Sequence, residues 1–179
     1  MKKGEVNVNQ RTVQIIRYAG FVLPILLIFY GVLIQIGAVQ SRNYTNNYVF
    51  YGIAIAWLIL GIYQFLITKR TVMGSAIRII IYHVLTVLYL LFVSGFSMPF
   101  IGAWVVLFLA SFAYFAQDGV RLSLLALFAA ATADILLNVD SPDHILANVL
   151  ALISTFVVGM IAVSISQAQE VDRRELTRS

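Results

Sequence analysis

Six apolar blocks, each close to the length of a membrane-spanning helix, make up most of this chain. A helix rises about 1.5 Å per residue, so roughly 20 apolar residues cross a hydrocarbon core of about 30 Å. Because lipid cannot satisfy backbone N–H and C=O groups, and the alternation of a membrane β-barrel is absent, the blocks predict an all-α bundle of six transmembrane helices. Charges, glycines and prolines separate the blocks, which cover residues 18–39, 48–67, 77–94, 98–116, 122–137 and 144–166.

The composition excludes a soluble domain. Of the 179 residues, 61% are hydrophobic and 11% are charged, which leaves too little polar surface to cover a globular core in water. The absence of cysteine excludes disulfides, thiolate metal sites and cysteine catalysis. The net charge of +4 follows no nucleic-acid-binding pattern, so the sequence predicts the lipid bilayer as a partner and no nucleic acid.

The basic residues predict the orientation of the chain in the membrane. If the N-terminus is cytoplasmic, eleven of the 12 lysines and arginines lie inside and only Arg42 lies outside. This bias predicts a multi-pass protein of the inner (cytoplasmic) membrane with both termini in the cytoplasm. The expected organisation is a cytoplasmic segment 1–14, a six-helix bundle 15–166 and a cytoplasmic helical stalk 167–179. The weakest division lies at residues 95–99, where a proline favours two helices over one.

The last apolar block continues into a charged tail without a helix breaker. Residues 143–179 contain no proline and one glycine, so they predict one helix of about 55 Å, of which about 20 Å stands clear of the membrane. No glycine or proline marks a helix end at Ser179, so we expect the chain to continue into an output domain. The loops are too short to fold a domain, so a cue must be read in the membrane or at its outer rim.

Asp134 is the one carboxylate inside an apolar block, and an ionisable side chain is costly there. Successive steps of three or four residues back along the helix meet Ala130, Ala126 and Ser123, a small-residue face that predicts an inward-facing Asp134. Two interpretations stay open. Asp134 is either a group that responds to a proton, cation or ligand, or a hydrogen-bonded carboxylate that fixes helix packing.

His83 is the second ionisable candidate within a block. It can act as a pH switch near neutrality, or it is a neutral side chain bonded to Thr86 or to a neighbouring helix. A haem would need two histidines at similar depth, whereas His144 begins the last block at the opposite face. We therefore expect no cofactor.

Asp140, Asp143 and His144 cluster at the outer end, with Asp134 one or two turns below them. Carboxylates and imidazole can bind a divalent cation, but no recognised spacing fixes a metal geometry, so no metal site is predicted. The alternative is helix capping, with Asp143 placed just before the last helix.

A narrow stripe of small and polar residues along the last apolar block predicts a helix–helix seam that could transmit a signal. The seam can pack inside the bundle or across a homodimer, which is the expected assembly. Its residues are Asn148, Thr155, Gly159, Ala162 and Ser166.

The segment 166–178, SQAQEVDRRELTR, resembles the start of a signalling helix, and the whole architecture resembles the N-terminal membrane input regions of bacterial sensor histidine kinases. It is similar, less specifically, to the input regions of membrane-bound diguanylate cyclases. The resemblance implies a sensor module that couples an unknown small-molecule or membrane cue to a cytoplasmic output. No catalytic motif of those families occurs here, so no catalytic residue is predicted. The alternatives are a small transporter or channel that uses Asp134, or a membrane subunit of a larger complex.

Overall fold

The structure, a computed structural model, describes residues 10–67, 71–139 and 142–176. Within these ranges all regular structure is helical and there is no strand, which confirms the all-α prediction. The segments 1–9, 68–70, 140–141 and 177–179 lie outside the described residues. The helices are α1 (Gln10–Gln35), α2 (Asn47–Leu66), α3 (Val72–Tyr89), a π-helix (Leu90–Ser94), α4 (Met98–Leu137) and α5 (Pro142–Leu176).

Five of these helical segments are long and apolar enough to cross a membrane. Their outer faces carry large hydrophobic side chains that are exposed in the isolated chain, as expected for a surface in contact with lipid. These side chains include Phe29, Ile59, Met73, Leu125 and Ile161.

Helix α4 folds back on itself at Ala116, whose backbone (φ 49°, ψ −129°) is not helical. The Oγ atoms of Ser111 and Ser123 are 3.2 Å apart, although twelve residues of straight helix would span about 18 Å. Gly119 lies so close to the Ser111 carbonyl that a Cβ would not fit. The two arms of α4, residues 98–115 and 117–137, therefore run alongside each other.

Several helix boundaries differ from the prediction. The expected loop after residue 116 is helical, because the reversal takes only Ala116. Helix α1 ends at Gln35 and not at residue 39, and Gly37 (φ 76°) ends it with backbone bonds from residues 38 and 39 to the Leu33 carbonyl. Helix α3 starts five residues early, where Thr71 Oγ1 accepts a bond from Gly74 N at 3.1 Å. The expected division at residues 95–99 is confirmed.

The core has two halves that meet along α3. One half lies among α1, α2 and α3 and contains Phe50, Trp57 and Tyr89. The other lies among the π-helix and the arms of α4, with α5 against it, and contains Trp104 and Phe108. Helices α2 and α4 pack directly on α3, and the hydroxyls of Tyr82 and Tyr89 bond it to α1, whereas α5 packs on α4.

The π-helix is the anchor for the loop between α1 and α2, residues 36–46. Three of its backbone carbonyls accept hydrogen bonds from the loop. Val93 O accepts from Ser41 Oγ (2.6 Å), Leu91 O from the Asn43 amide (3.4 Å) and Phe92 O from Thr45 N (3.3 Å). A π-turn offers carbonyls outside the regular α-helical ladder, and such turns are frequent at functional sites. Loop 36–46 is consequently fixed against the end of α3.

Candidate functional site

A buried carboxylate, Asp134, lies at the end of the bundle that holds loop 36–46. Its side chain is completely shielded from solvent on the second arm of α4. Oδ1 accepts hydrogen bonds from the amides of Asn43 and Asn138, and Oδ2 accepts one from Asn148. His144 Nε2 lies 3.3 Å from Oδ2. These five residues form the Asp134 cluster.

Asn43 brings loop 36–46 into the Asp134 cluster. The same amide group also reaches Leu91 O of the π-helix, so the loop cannot move away without breaking both bonds. Gly95 follows the π-helix with φ 57°, and a Cβ there would lie 2.8 Å from Asn43 Oδ1. Glycine is required at residue 95 both for the backbone conformation and for the close approach of Asn43.

Helix α5 contributes two side chains, His144 and Asn148, which are four residues apart and therefore on one face. Their Nε2 and Nδ2 atoms lie 3.2 Å apart. His144 Nε2 has two possible partners: it accepts from Asn148 when it carries no proton, and it donates to Asp134 when it does. The position of one proton thus decides whether His144 is bonded to its own helix or to α4.

The donors around Asp134 compensate for its burial. An isolated carboxylate in an apolar interior is strongly destabilised, whereas bonds from N–H donors to an ionised oxygen are about twice as strong as neutral ones. Three asparagines and a histidine supply these bonds from loop 36–46, α4 and α5. The Asp134 cluster therefore joins loop 36–46 to the end of α4, which Asn43 reaches across 91 residues of sequence, and to the start of α5.

Asp143, another residue predicted at this end, does not join the cluster. Asp143 is exposed, and it lies within the first turn of α5 and not before the helix, because α5 begins at Pro142. A carboxylate in the first turn still stabilises the helix dipole. Asp140 lies outside the described residues. In the described part of the chain, no group of three or more histidines and carboxylates is placed to hold a metal ion.

His83 is buried in a separate polar chain further along α3. Its Nδ1 bonds the Ile79 carbonyl and its Nε2 bonds Ser123 Oγ, both at 2.7 Å. A carbonyl only accepts, so Nδ1 carries a proton, and in the neutral ring Nε2 accepts from the serine. Of the two partners expected for a neutral His83, Thr86 is not used, because its hydroxyl donates to Tyr82 O, and the neighbouring helix supplies the bond through Ser123. His83 ties α3 to the second arm of α4 and does not touch the Asp134 cluster.

The predicted seam on α5 faces α4 within the same chain. Asn148, Thr155 and Gly159 are buried, and a Cβ on Gly159 would lie 2.8 Å from the ring of Phe108. Ala162 is half-buried, and the side chain of Ser166 lies outside the described residues. The face that carries Asn148 into the Asp134 cluster is thus continuous with the face that packs α5 on the first arm of α4.

Asn43 and Asn138 are the members of the Asp134 cluster that sequence reasoning did not select. Asn138 had a usable signal, since it lies one helical turn after Asp134. Asn43 had none, because it meets Asp134 across 91 residues of sequence and lies in a short polar loop.

No protein-family model, curated protein or solved structure matches this chain, so the functional proposal depends on the geometry of its own residues.

Proposed function

We propose that this chain is the membrane input module of a signal-transduction receptor. The observation that carries the proposal is that one buried carboxylate, Asp134, is bonded at the same time to loop 36–46 through Asn43 and to α5 through Asn148. A displacement of loop 36–46 would therefore change the hydrogen bonds that hold α5 to Asp134. Helix α5 runs from Pro142 to Leu176 without a break and can carry the change to the other end of the bundle.

The proposed topology has six crossings of the inner membrane, with both termini in the cytoplasm. The reversal at Ala116 supports it, since each arm of α4 is long enough to cross once, at roughly 20 residues. Loop 36–46, the π-helix and the start of α5 then share the outer side. The excess of basic residues in the opposite segments supports the same orientation.

Signalling requires two arrangements of the bundle that differ in free energy by a few kcal/mol. In the proposed mechanism, a cue at the outer side or within the membrane loosens or tightens the bond between Asn43 and Asp134. Helix α5, which carries His144 and Asn148, then slides or rotates along α4. The resemblance to sensor histidine kinases supports a homodimer whose stalks drive a kinase or cyclase output after residue 179.

A fusion protein tests the proposal. Residues 1–176 are joined to the dimerisation and kinase regions of a characterised sensor histidine kinase, with zero to four alanines inserted at the junction. Each alanine turns the output region by about 100° relative to α5, so kinase activity should rise and fall with the number inserted. In the most active fusion, Asp134→Asn should change the activity at least about threefold.

Asp143→Asn is the matched control, because it removes a carboxylate from the same end of the bundle but outside the Asp134 cluster. It should leave the activity unchanged. A kinase that responds neither to the insertions nor to Asp134→Asn, in fusions that still elute as folded protein, contradicts the sensor function. Ion flux in proteoliposomes that Asp134→Asn abolishes would instead assign the chain to transport.

A further inference from the structure

A narrow groove lies at the opposite end of the molecule from the Asp134 cluster. It runs between α1, α2, α3 and the first arm of α4, and it encloses about 620 Å³ of space between protein atoms, including its open mouth. Residues 16–27, 75–86 and 103–114 supply three of its walls. Each of these stretches is about 16 Å long, so the groove is elongated along the helices.

The groove is polar at one end and apolar along the rest. Gln64, Ser75 and Arg78 lie at the polar end, about 9 Å from the start of α3. From there the lining continues through alanine, leucine and valine side chains as far as Leu27 and Trp57, near the middle of the bundle. This gradient matches a molecule with one polar head and one apolar chain.

Arg78 is a buried cation at the polar end. Its side chain is 5% exposed, and its guanidinium donates to Ser75 Oγ at 2.9 Å and is hydrogen-bonded to the Tyr63 side chain, so both partners are neutral groups. Among the side chains that the structure describes, no carboxylate lies within 4.0 Å of it. A guanidinium has five N–H donors in a planar fork that matches a carboxylate or phosphate group. Burial without such a partner destabilises the cation, so this end of the groove favours an anion.

Gln64 provides a second, independent observation. Its side chain is 4% exposed and lines the groove, and its Oε1 has no hydrogen-bond partner. Buried side-chain amides almost always have their acceptor bonded, and an unbonded one points to a missing partner. A hydroxyl of a ligand, or a water held by its head group, would supply the donor.

We propose that this groove binds the acyl chain of an anionic amphiphile, with a carboxylate or phosphate head on Arg78 and the chain running along α1 toward Trp57. The site is separate from the Asp134 cluster by on the order of 20 Å along α3, and the inference does not rest on the proposed sensor function. It predicts that the chain recognises anionic over zwitterionic lipids or fatty acids.

Trp57 gives a direct readout because it lines the end of the groove where the chain is expected. Bromine atoms on an acyl chain quench tryptophan fluorescence on contact. Trp104→Phe removes the other tryptophan without losing a hydrogen bond, because Trp104 Nε1 has no partner in the described residues. In this background, purified protein in detergent is titrated with dibrominated stearate, with brominated phosphatidylglycerol, and with brominated phosphatidylcholine as the neutral control.

We expect saturable quenching of Trp57 by an anionic probe at concentrations where brominated phosphatidylcholine has no effect. Quenching by stearate alone would identify a free fatty acid as the ligand, and quenching by phosphatidylglycerol would identify a phospholipid. Arg78→Gln should weaken binding about tenfold or more, whereas Arg78→Lys, which keeps the charge, should weaken it by less than about threefold.

A second variant keeps the test decisive if Arg78→Gln does not fold. Ala19→Leu fills the groove from α1 without touching a charge, and it should abolish saturable quenching. Leu125→Phe, on an exposed face of α4, is its matched control and should bind as the parent does. Equal quenching by phosphatidylcholine, no saturable quenching by either anion, or unchanged binding in Ala19→Leu would each overturn the proposal.

Discussion

Each end of this bundle buries a charged side chain, and the two side chains differ in the hydrogen-bond partners that the protein gives them. At one end, both oxygens of Asp134 accept bonds from side chains of three segments, so the charge is satisfied within the protein. At the other end, the Arg78 guanidinium donates to Ser75 Oγ and is hydrogen-bonded to the Tyr63 side chain, both of them neutral groups, and the Gln64 oxygen in the same groove has no partner among the described residues. A satisfied buried charge holds a fold together, whereas an unsatisfied one leaves room for a ligand.

The largest effect on the free energy of unfolding should come from Asp134→Leu, which removes the buried carboxylate that accepts the hydrogen bonds of the Asp134 cluster. The substitution leaves the amides of Asn43 and Asn148 buried without their acceptor, so we expect a loss of about 3 kcal/mol or more in the free energy of unfolding. Titration with sodium dodecyl sulfate in mixed micelles measures it. A loss below about 1 kcal/mol would mean that the Asp134 cluster does not hold the segments together.

Asn43→Ala tests the same end from the loop. It removes one donor of Asp134 and one bond to the π-helix, with an expected loss of about 1–2 kcal/mol. Hydrogen exchange at the amide of Thr45, which is bonded to Phe92 O, should become faster. Gln40→Ala, at an exposed residue of the same loop, is the control and should change neither quantity.

Gly95→Ala should weaken the cluster without removing any of its polar groups. The backbone has φ 57°, and the new Cβ would lie 2.8 Å from Asn43 Oδ1, so we expect a loss of about 1 kcal/mol or slightly more. Gly102→Ala is the opposite case, because a Cβ there meets open space within α4. It should be neutral or stabilising by up to about 1 kcal/mol, and the two thermal unfolding curves should shift in opposite directions.

The smallest effect should come from Arg78→Met in lipid-free detergent. Among the described residues Arg78 has only neutral partners, Ser75 and Tyr63, so replacing it with an apolar side chain of similar length is expected to change the free energy of unfolding by less than about 1 kcal/mol in either direction. The same titration as for Asp134→Leu measures it. A loss as large as that of Asp134→Leu would show that Arg78 stabilises the fold as much as Asp134 does, which contradicts the comparison.

The sequence predicted the helices well because each apolar block is a local signal of about the length of a span. It also predicted an inward-facing Asp134, since Ala130, Ala126 and Ser123 share its face. It predicted a connection over residues 117–121 but not that Ala116 alone makes the turn, because alanine is an ordinary helix former and carries no turn signal. The residues after it stay helical since Gly119 can pack directly on Ser111, a contact that no local pattern reveals.

The polar partners were harder to predict than the helices. Asn43 meets Asp134 only in the folded chain, so neither spacing nor composition pairs them. Arg78 was counted as one of many basic residues near a cytoplasmic loop, although it is buried in the groove. Both sites depend on which helices become neighbours, and a single sequence does not specify that.

The reversal at Ala116 also constrains how the chain is inserted into the bilayer during synthesis. In the proposed topology, a single non-helical residue joins the two arms of α4, so the connection has no slack with which to hold one arm in water while the other enters lipid. The arms must enter together as a helical hairpin, or the first must wait at the translocon for the second. Lengthening this connection with a flexible linker would let the arms insert one after the other, at the expense of the contact between Gly119 and Ser111.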